Sequence, residues 1–349
     1  MTNLTKSSSA RARFLRGLLL SVPLLAVTLL FTNLVAGSDG GLSTERQISS
    51  QPVQLTLAAD PTAVSVGLLV VSVGKLDLQT GSYTVDFYLT LDCNRLCDPS
   101  RFEFVNGRAT SKDAQDAGDT FRVFRILAAL NQNLDLSRYP FDRHKLEIIL
   151  EDSQADNAEL VYKVNEKGTG ISPDVLITGW DLDRNWSANV RDIYYPQFDQ
   201  TYSRYVLTLN ISRAPLNAVL KTLFPAFIVA LVGLLSLFLG ADKAMQRLGM
   251  LTAALGSAVI LHLNLTQSLP PIGYLTYADG FMLTNYVLLA ACLALTVRMV
   301  WSIDRLTKEL GDEKLAAAEL VGTNLLLQRA IPLAWVGMQA VTAFLFLGR

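Results

Sequence analysis

The feature that most limits what this chain can become is a set of four apolar stretches in its last third, at residues 216–239, 248–269, 280–301 and 325–347. Each has the length an α-helix needs to cross a bilayer's hydrocarbon core. Lipid offers no partner to a bare backbone, so each must satisfy its own N–H and C=O groups as a helix. Upstream, charged residues are spread from Asp60 to Arg213. The composition, half hydrophobic and 17% charged, would also suit one large globule. Its uneven distribution instead predicts an aqueous domain at 53–213 and a membrane domain at 214–349.

Basic residues orient the spans. Lys243 and Arg247 fall between the first two, and Arg298, Arg305, Lys308, Lys314 and Arg329 surround the link between the last two, whereas 270–279 has neither Lys nor Arg. The positive-inside rule puts the basic connections in the cytoplasm and both the aqueous domain and the C-terminus outside. The charged stretch 302–322 reads as a short helical linker. At the other end, Arg11, Arg13 and Arg16 precede an apolar run at 17–31 and then Leu34-Val35-Ala36-Gly37. Residues 1–37 therefore read as a secretory signal that is cleaved, with an uncleaved helical anchor as the alternative. A flexible segment is expected at 38–52. The bacterial inner membrane, with the aqueous domain in the periplasm, fits these signals.

The exported domain is patterned for strands, with β-prone runs at 64–73, 83–91, 102–106, 121–136, 144–151, 159–164, 180–190 and 202–211 separated by Gly, Asp, Asn and Pro. Such spacing predicts a β-sandwich. Cys93 and Cys97 lie four apart in an oxidising compartment, where a local disulfide is possible, and Cys292 sits in an apolar span as packing. Only two histidines, His144 and His262, occur in the chain, which leaves no ligand set for zinc. No P-loop, nucleophile elbow or metal cluster is present, so neither an enzyme nor a cofactor is expected. No nucleic-acid partner is expected either.

The segment Asn133-Leu134-Asp135-Leu136-Ser137-Arg138-Tyr139-Pro140-Phe141-Asp142-Arg143 narrows the reading. Its Tyr139-Pro140-Phe141-Asp142 core is followed in order by Arg213 before the first span, Pro225 within it, Leu269-Pro270 ending the second and Tyr277-Ala278-Asp279 opening the third. In these features the chain resembles the pentameric ligand-gated ion channels, the Cys-loop receptor superfamily, in a form whose loop lacks cysteines. The resemblance implies a homopentamer with a central pore, permeating inorganic ions and surrounding membrane lipids as partners, and gating transmitted through Tyr139, Pro140, Phe141, Asp142, Arg213 and Pro270. Asp142 offers its charge to Arg213.

In that family ligands bind between subunits in an aromatic box. By local sequence Tyr88, Glu103, Ser153, Tyr195 and Tyr202 fall at its positions, and Ser153 stands where many members carry an aromatic side chain. Tyrosine faces with a carboxylate suit a cationic amine, while protons at carboxylates are the other expected stimulus. The second span would line the pore with Gly249, Ala253, Gly256, Ile260, Leu263 and Gln267. Rings of Ile260 and Leu263 would gate by dewetting. At the cytoplasmic mouth Asp242, Met245 and Gln246 replace the acidic ring common in cation channels, yet the acidic excess of the exported domain leans toward cations. The rival reading is a non-conducting sensor or assembly protein of the same architecture.

Overall fold

The computed structural model describes residues 60–348. The signal expected at 1–37, the segment at 38–52 and the first residues of the aqueous domain lie outside the described residues. The chain packs as two compact units that part between Ala214 and Pro215, except that Leu136–Pro140 belongs with the helices.

The first unit holds ten strands: β1 (Thr62–Val73), β2 (Ser82–Cys93), β3 (Phe102–Phe104), β4 (Gly107–Ala117), β5 (Phe121–Asn131), β6 (Arg143–Asp152), β7 (Leu160–Val164), β8 (Gly170–Ile171), β9 (Trp180–Tyr195) and β10 (Gln200–Arg213). One sheet runs β4-β5-β2-β1-β7 with β8 also on β1; the other runs β3-β6-β10-β9. Alternation builds the core. Along β2, Tyr83, Val85, Phe87, Leu89 and Leu91 are all buried. They share one cluster with Val66 and Leu68 of β1, Leu146 and Ile148 of β6, and Leu207 and Leu209 of β10. Each such side chain contributes roughly 2 kcal/mol by leaving water. Cys93 and Cys97 are joined in a disulfide just after β2.

In the second unit α1 (Pro215–Ser236), α2 (Ala241–Gln267), α3 (Tyr277–Leu310) and α5 (Val321–Leu347) are long and apolar enough to cross a membrane. A short α4 (Glu313–Glu319) precedes α5. Inside α1, residues Val219–Leu223 form a π-helical turn, with the Phe224 N–H donating to the Val219 carbonyl. Pro225 is the local reason, because it has no N–H for the Lys221 carbonyl four residues back. The third span continues past Trp301 to Leu310 and stops at Gly311, whose φ of 74° makes a left-handed cap. Much of the expected linker is thus an extension of α3.

Two polar centres tie the helices together. Asn285 of α3 donates to the Ala226 carbonyl at 3.3 Å and accepts from Trp335 Nε1 at 3.0 Å and Gln339 Nε2 at 3.3 Å. Arg247 of α2, 1% exposed, donates to the carbonyls of Leu237 and Leu239 and to Asn324 Oδ1 at 2.8 Å. No carboxylate pairs with it among the described residues.

Candidate functional site

The residues expected to transmit gating fall into two groups. In the sheet unit Asp142 is fully buried and takes the Arg213 fork bidentately, Nε to Oδ1 at 2.8 Å and Nη2 to Oδ2 at 3.0 Å. His144 Nε2 lies 2.7 Å from the same Oδ2. Trp180 covers both partners of the carboxylate, with the Arg213 guanidinium 4.4 Å from its ring and the His144 ring edge-on at 5.2 Å. Burial alone would raise the Asp142 carboxyl, but hydrogen bonds from His144 and Arg213 outweigh it and hold its pKa at about 2. His144 and Trp180 were not foreseen as part of this cluster. Alternation from buried Asp142 to buried His144 across exposed Arg143 is the signal that would have found the histidine.

In the helical unit the Leu136–Pro140 segment meets the start of α3. Ser137 and Tyr139 carbonyls accept from the N–H groups of Tyr277 and Ala278 at 2.9 and 3.0 Å, and Leu136 N–H donates to Tyr274 Oη at 2.9 Å. Thr276 caps the helix in a reciprocal box with Asp279. Tyr139 also lines a cavity of about 290 Å³ with Lys221 and Pro225 of α1, Asn264 of α2 and Phe281 of α3. Phe141 and Pro270 are half-buried.

The five residues expected to bind ligand divide between the sheets. Tyr88 lies on the first, where Arg125 sits 5.6 Å from its ring and pairs with Asp86 at 2.8 Å. Tyr195, Tyr202 and Glu103 belong to the second, and Ser153 directly follows its strand β6. Tyr195 and Tyr202 meet edge-on at 5.7 Å, and Phe198 joins them at 6.4 Å from Tyr195. The carboxylate that reaches Tyr195 is Glu151, not Glu103: Tyr195 Oη donates to Glu151 Oε2 at 3.0 Å. Arg204 Nε pairs with Glu151, and Arg204 Nη2 donates to Tyr195 Oη at 2.7 Å. Burial and the Glu151 hydrogen bond raise the Tyr195 phenol, partly offset by Arg204. Glu103 is the exposed register partner of Glu151, and Ser153 Oγ donates to the Arg101 carbonyl at 2.7 Å. Tyr88 and Tyr195 therefore each already meet an arginine held by a carboxylate, while Tyr202 Oη donates to Gln200 Oε1 at 2.8 Å. Sequence reasoning missed Arg125, Glu151 and Arg204, because strand register rather than spacing brings them together.

On α2, Leu251, Ala254 and Ala258 are buried against the bundle. Gly249, Ala253, Gly256, Ile260, Leu263 and Gln267 are all exposed, and a methyl added at Gly249 or Gly256 would meet nothing within 4 Å. Asp242, Met245 and Gln246 are exposed at the helix start. Ser257 and Thr252 hydroxyls turn back onto carbonyls of their own helix. His262 is not isolated: Nε2 lies 3.2 Å from Asp279 Oδ1 and Nδ1 lies 3.3 Å from Tyr286 Oη.

A β-sandwich unit continuing through Ala214 into four membrane-length helices defines a multi-pass membrane protein with an aqueous domain. No protein-family model matches the chain. It is similar to a proton-gated ion channel of Gloeobacter violaceus, 23% identical over 319 residues that cover 84% of this chain and 85% of that protein. The likeness therefore spans both units.

Proposed function

We propose that the chain is one subunit of a homopentameric, cation-conducting channel of the ligand-gated family, opened from the periplasmic side. The observation that carries this reading is the likeness to a proton-gated channel over both units. The uncovered face of α2 supports it, because Gly249, Ala253, Gly256, Ile260, Leu263 and Gln267 would line the pore, with Ile260 and Leu263 as its apolar constriction. The Tyr139–Asp142 loop would carry the signal, one end held by Arg213 and the other bound to α3.

Of the two stimuli, protons fit better than an amine. Of the tyrosines that would surround an amine, Tyr88 already has the paired Arg125 near its ring and Tyr195 has Arg204 on its hydroxyl, so an amine would compete with two paired guanidinium groups. Planar-bilayer recordings of the reconstituted full chain test this. Acidification on the side of the aqueous domain should evoke current whose reversal in a salt gradient follows the cation. Intact pentamers that stay silent under acid and under amines would refute conduction. Current evoked by amines at neutral pH would refute the choice of stimulus.

A further inference from the structure

A cavity of about 370 Å³ opens on the sheet unit, lined by Arg143, His144, Lys145, Asp183, Asn210, Ile211 and Ser212. Its shape follows from the strands. Arg143 pairs in register with Ser212 and Lys145 with Asn210, so four donor side chains share one face at the corners of a patch roughly 5 by 7 Å. The next strand pairs with Ser212 but bulges opposite Asn210. The β9–β10 register shifts between Leu209 and Ile211, and Arg184 in the resulting bulge is drawn away by the carbonyls of Ser172, Pro173 and Val175 at 2.8 to 2.9 Å.

The chemistry of the lining is one-sided. Neither Arg143 nor Lys145 has an ion pair or side-chain hydrogen bond among the described residues. The one acceptor in the lining that carries charge, Asp183, already takes the Asn185 N–H on Oδ1 at 2.9 Å. Asp181, the register partner of Ser212, is exposed and does not line the cavity. A guanidinium fork, an ammonium, an amide and a hydroxyl around one hollow match a tetrahedral anion with several acceptor oxygens.

We propose that this cavity binds a phosphate group, carried by an anionic phospholipid headgroup or free in solution. A lipid source is physically accessible, since Ser212 lies three residues before Pro215, at most about 10 Å of chain from the first membrane-length helix. Occupancy would also bear on the coupling pair, because His144 lines the cavity and hydrogen-bonds Asp142 on its other side. An anion beside Arg143 and Lys145 adds negative potential next to the hydrogen bond that His144 shares with Asp142.

Native mass spectrometry of the full chain in detergent, with phosphatidylglycerol or phosphatidylcholine added, reads the lipid source. Tryptophan fluorescence during titration with inorganic phosphate reads the free ion, with Trp180 as the nearby reporter. Phosphatidylglycerol should bind in excess over phosphatidylcholine, and the excess should fall roughly fivefold for each cation removed in Arg143→Gln and Lys145→Gln. Asp183→Asn should raise binding, which keeps the test open if the glutamine variants fold poorly. Phosphate binding without a lipid preference would assign the site to the free ion. Equal binding of both lipids with no phosphate response, or an excess untouched by the glutamine variants, would overturn the proposal. No current enters these readings, so failure of the channel function and failure of this site are separable.

Discussion

Two arginines, one in each unit, solve the same problem differently. Arg213 gives its fork to a carboxylate, and the pair is closed by His144 and roofed by Trp180. Arg247, more deeply buried, is held by the carbonyls of Leu237 and Leu239 just past α1 and by Asn324 of α5, with its Nε left unpartnered. Carbonyls beyond a helix C-terminus carry partial negative charge and suit a cation there, yet they do not neutralise it. The comparison teaches that the sheet unit fixes position with a carboxylate pair, whereas the helical unit holds its arginine on carbonyls and an amide as a staple among α1, α2 and α5.

The largest effect expected from breaking this contrast is Asp142→Ala. It strands two donors in a buried site and should cost the full chain about 3–5 kcal/mol in denaturant unfolding. Arg247→Met should cost less, about 1–3 kcal/mol, because it removes a desolvated charge together with its hydrogen bonds. Equal losses would erase the distinction between the two arginines. Acid gives a second handle. A carboxyl lowered from 3.8 to about 2 stabilises the fold by about 2 kcal/mol above pH 4, and this contribution disappears as pH falls toward 2. Unfolding measured across that window should lose its slope in Asp142→Asn and keep it in Arg247→Met. The smallest effect is Tyr195→Phe, which removes one hydroxyl from the Glu151–Arg204 network for about 1 kcal/mol. No change there would mean that the guanidinium and carboxylate hold each other unaided.

Much of the fold was legible because burial writes period into sequence. The strand at Ser82–Cys93 alternates strictly, and each membrane-length run is apolar enough to be read directly. The strand β4 was not legible. Gly107–Ala117 reads GRATSKDAQDA and is exposed almost throughout; at a sheet edge it needs no apolar face, and its charges discourage pairing with another chain. The run expected to continue to Leu136 ends at Asn131, and Leu136 instead belongs with the helices.

The candidate site was legible where the resemblance to a known family marks both partners, even 71 residues apart. The Asp142 and Arg213 pairing follows from opposite charges at recognisable positions. The Glu151 and Arg204 pairing lies 53 residues apart in sequence, and no local pattern announces that a strand register will place an arginine against Tyr195. An aromatic box read from sequence alone therefore looks vacant, whereas the folded chain supplies its own cations.

The carbonyls that Ser137 and Tyr139 offer to Tyr277 and Ala278 reach across the chain to a helix start more than a hundred residues away. The first-turn amides of a helix have no partner within it, so the remote loop serves Tyr277 and Ala278 while the Thr276–Asp279 box serves the next amide. Opening of the Tyr277 and Ala278 amides and departure of the loop are consequently a single event. Hydrogen exchange should find the Tyr277 and Ala278 amides opening together, at a rate set by the loop rather than by the helix.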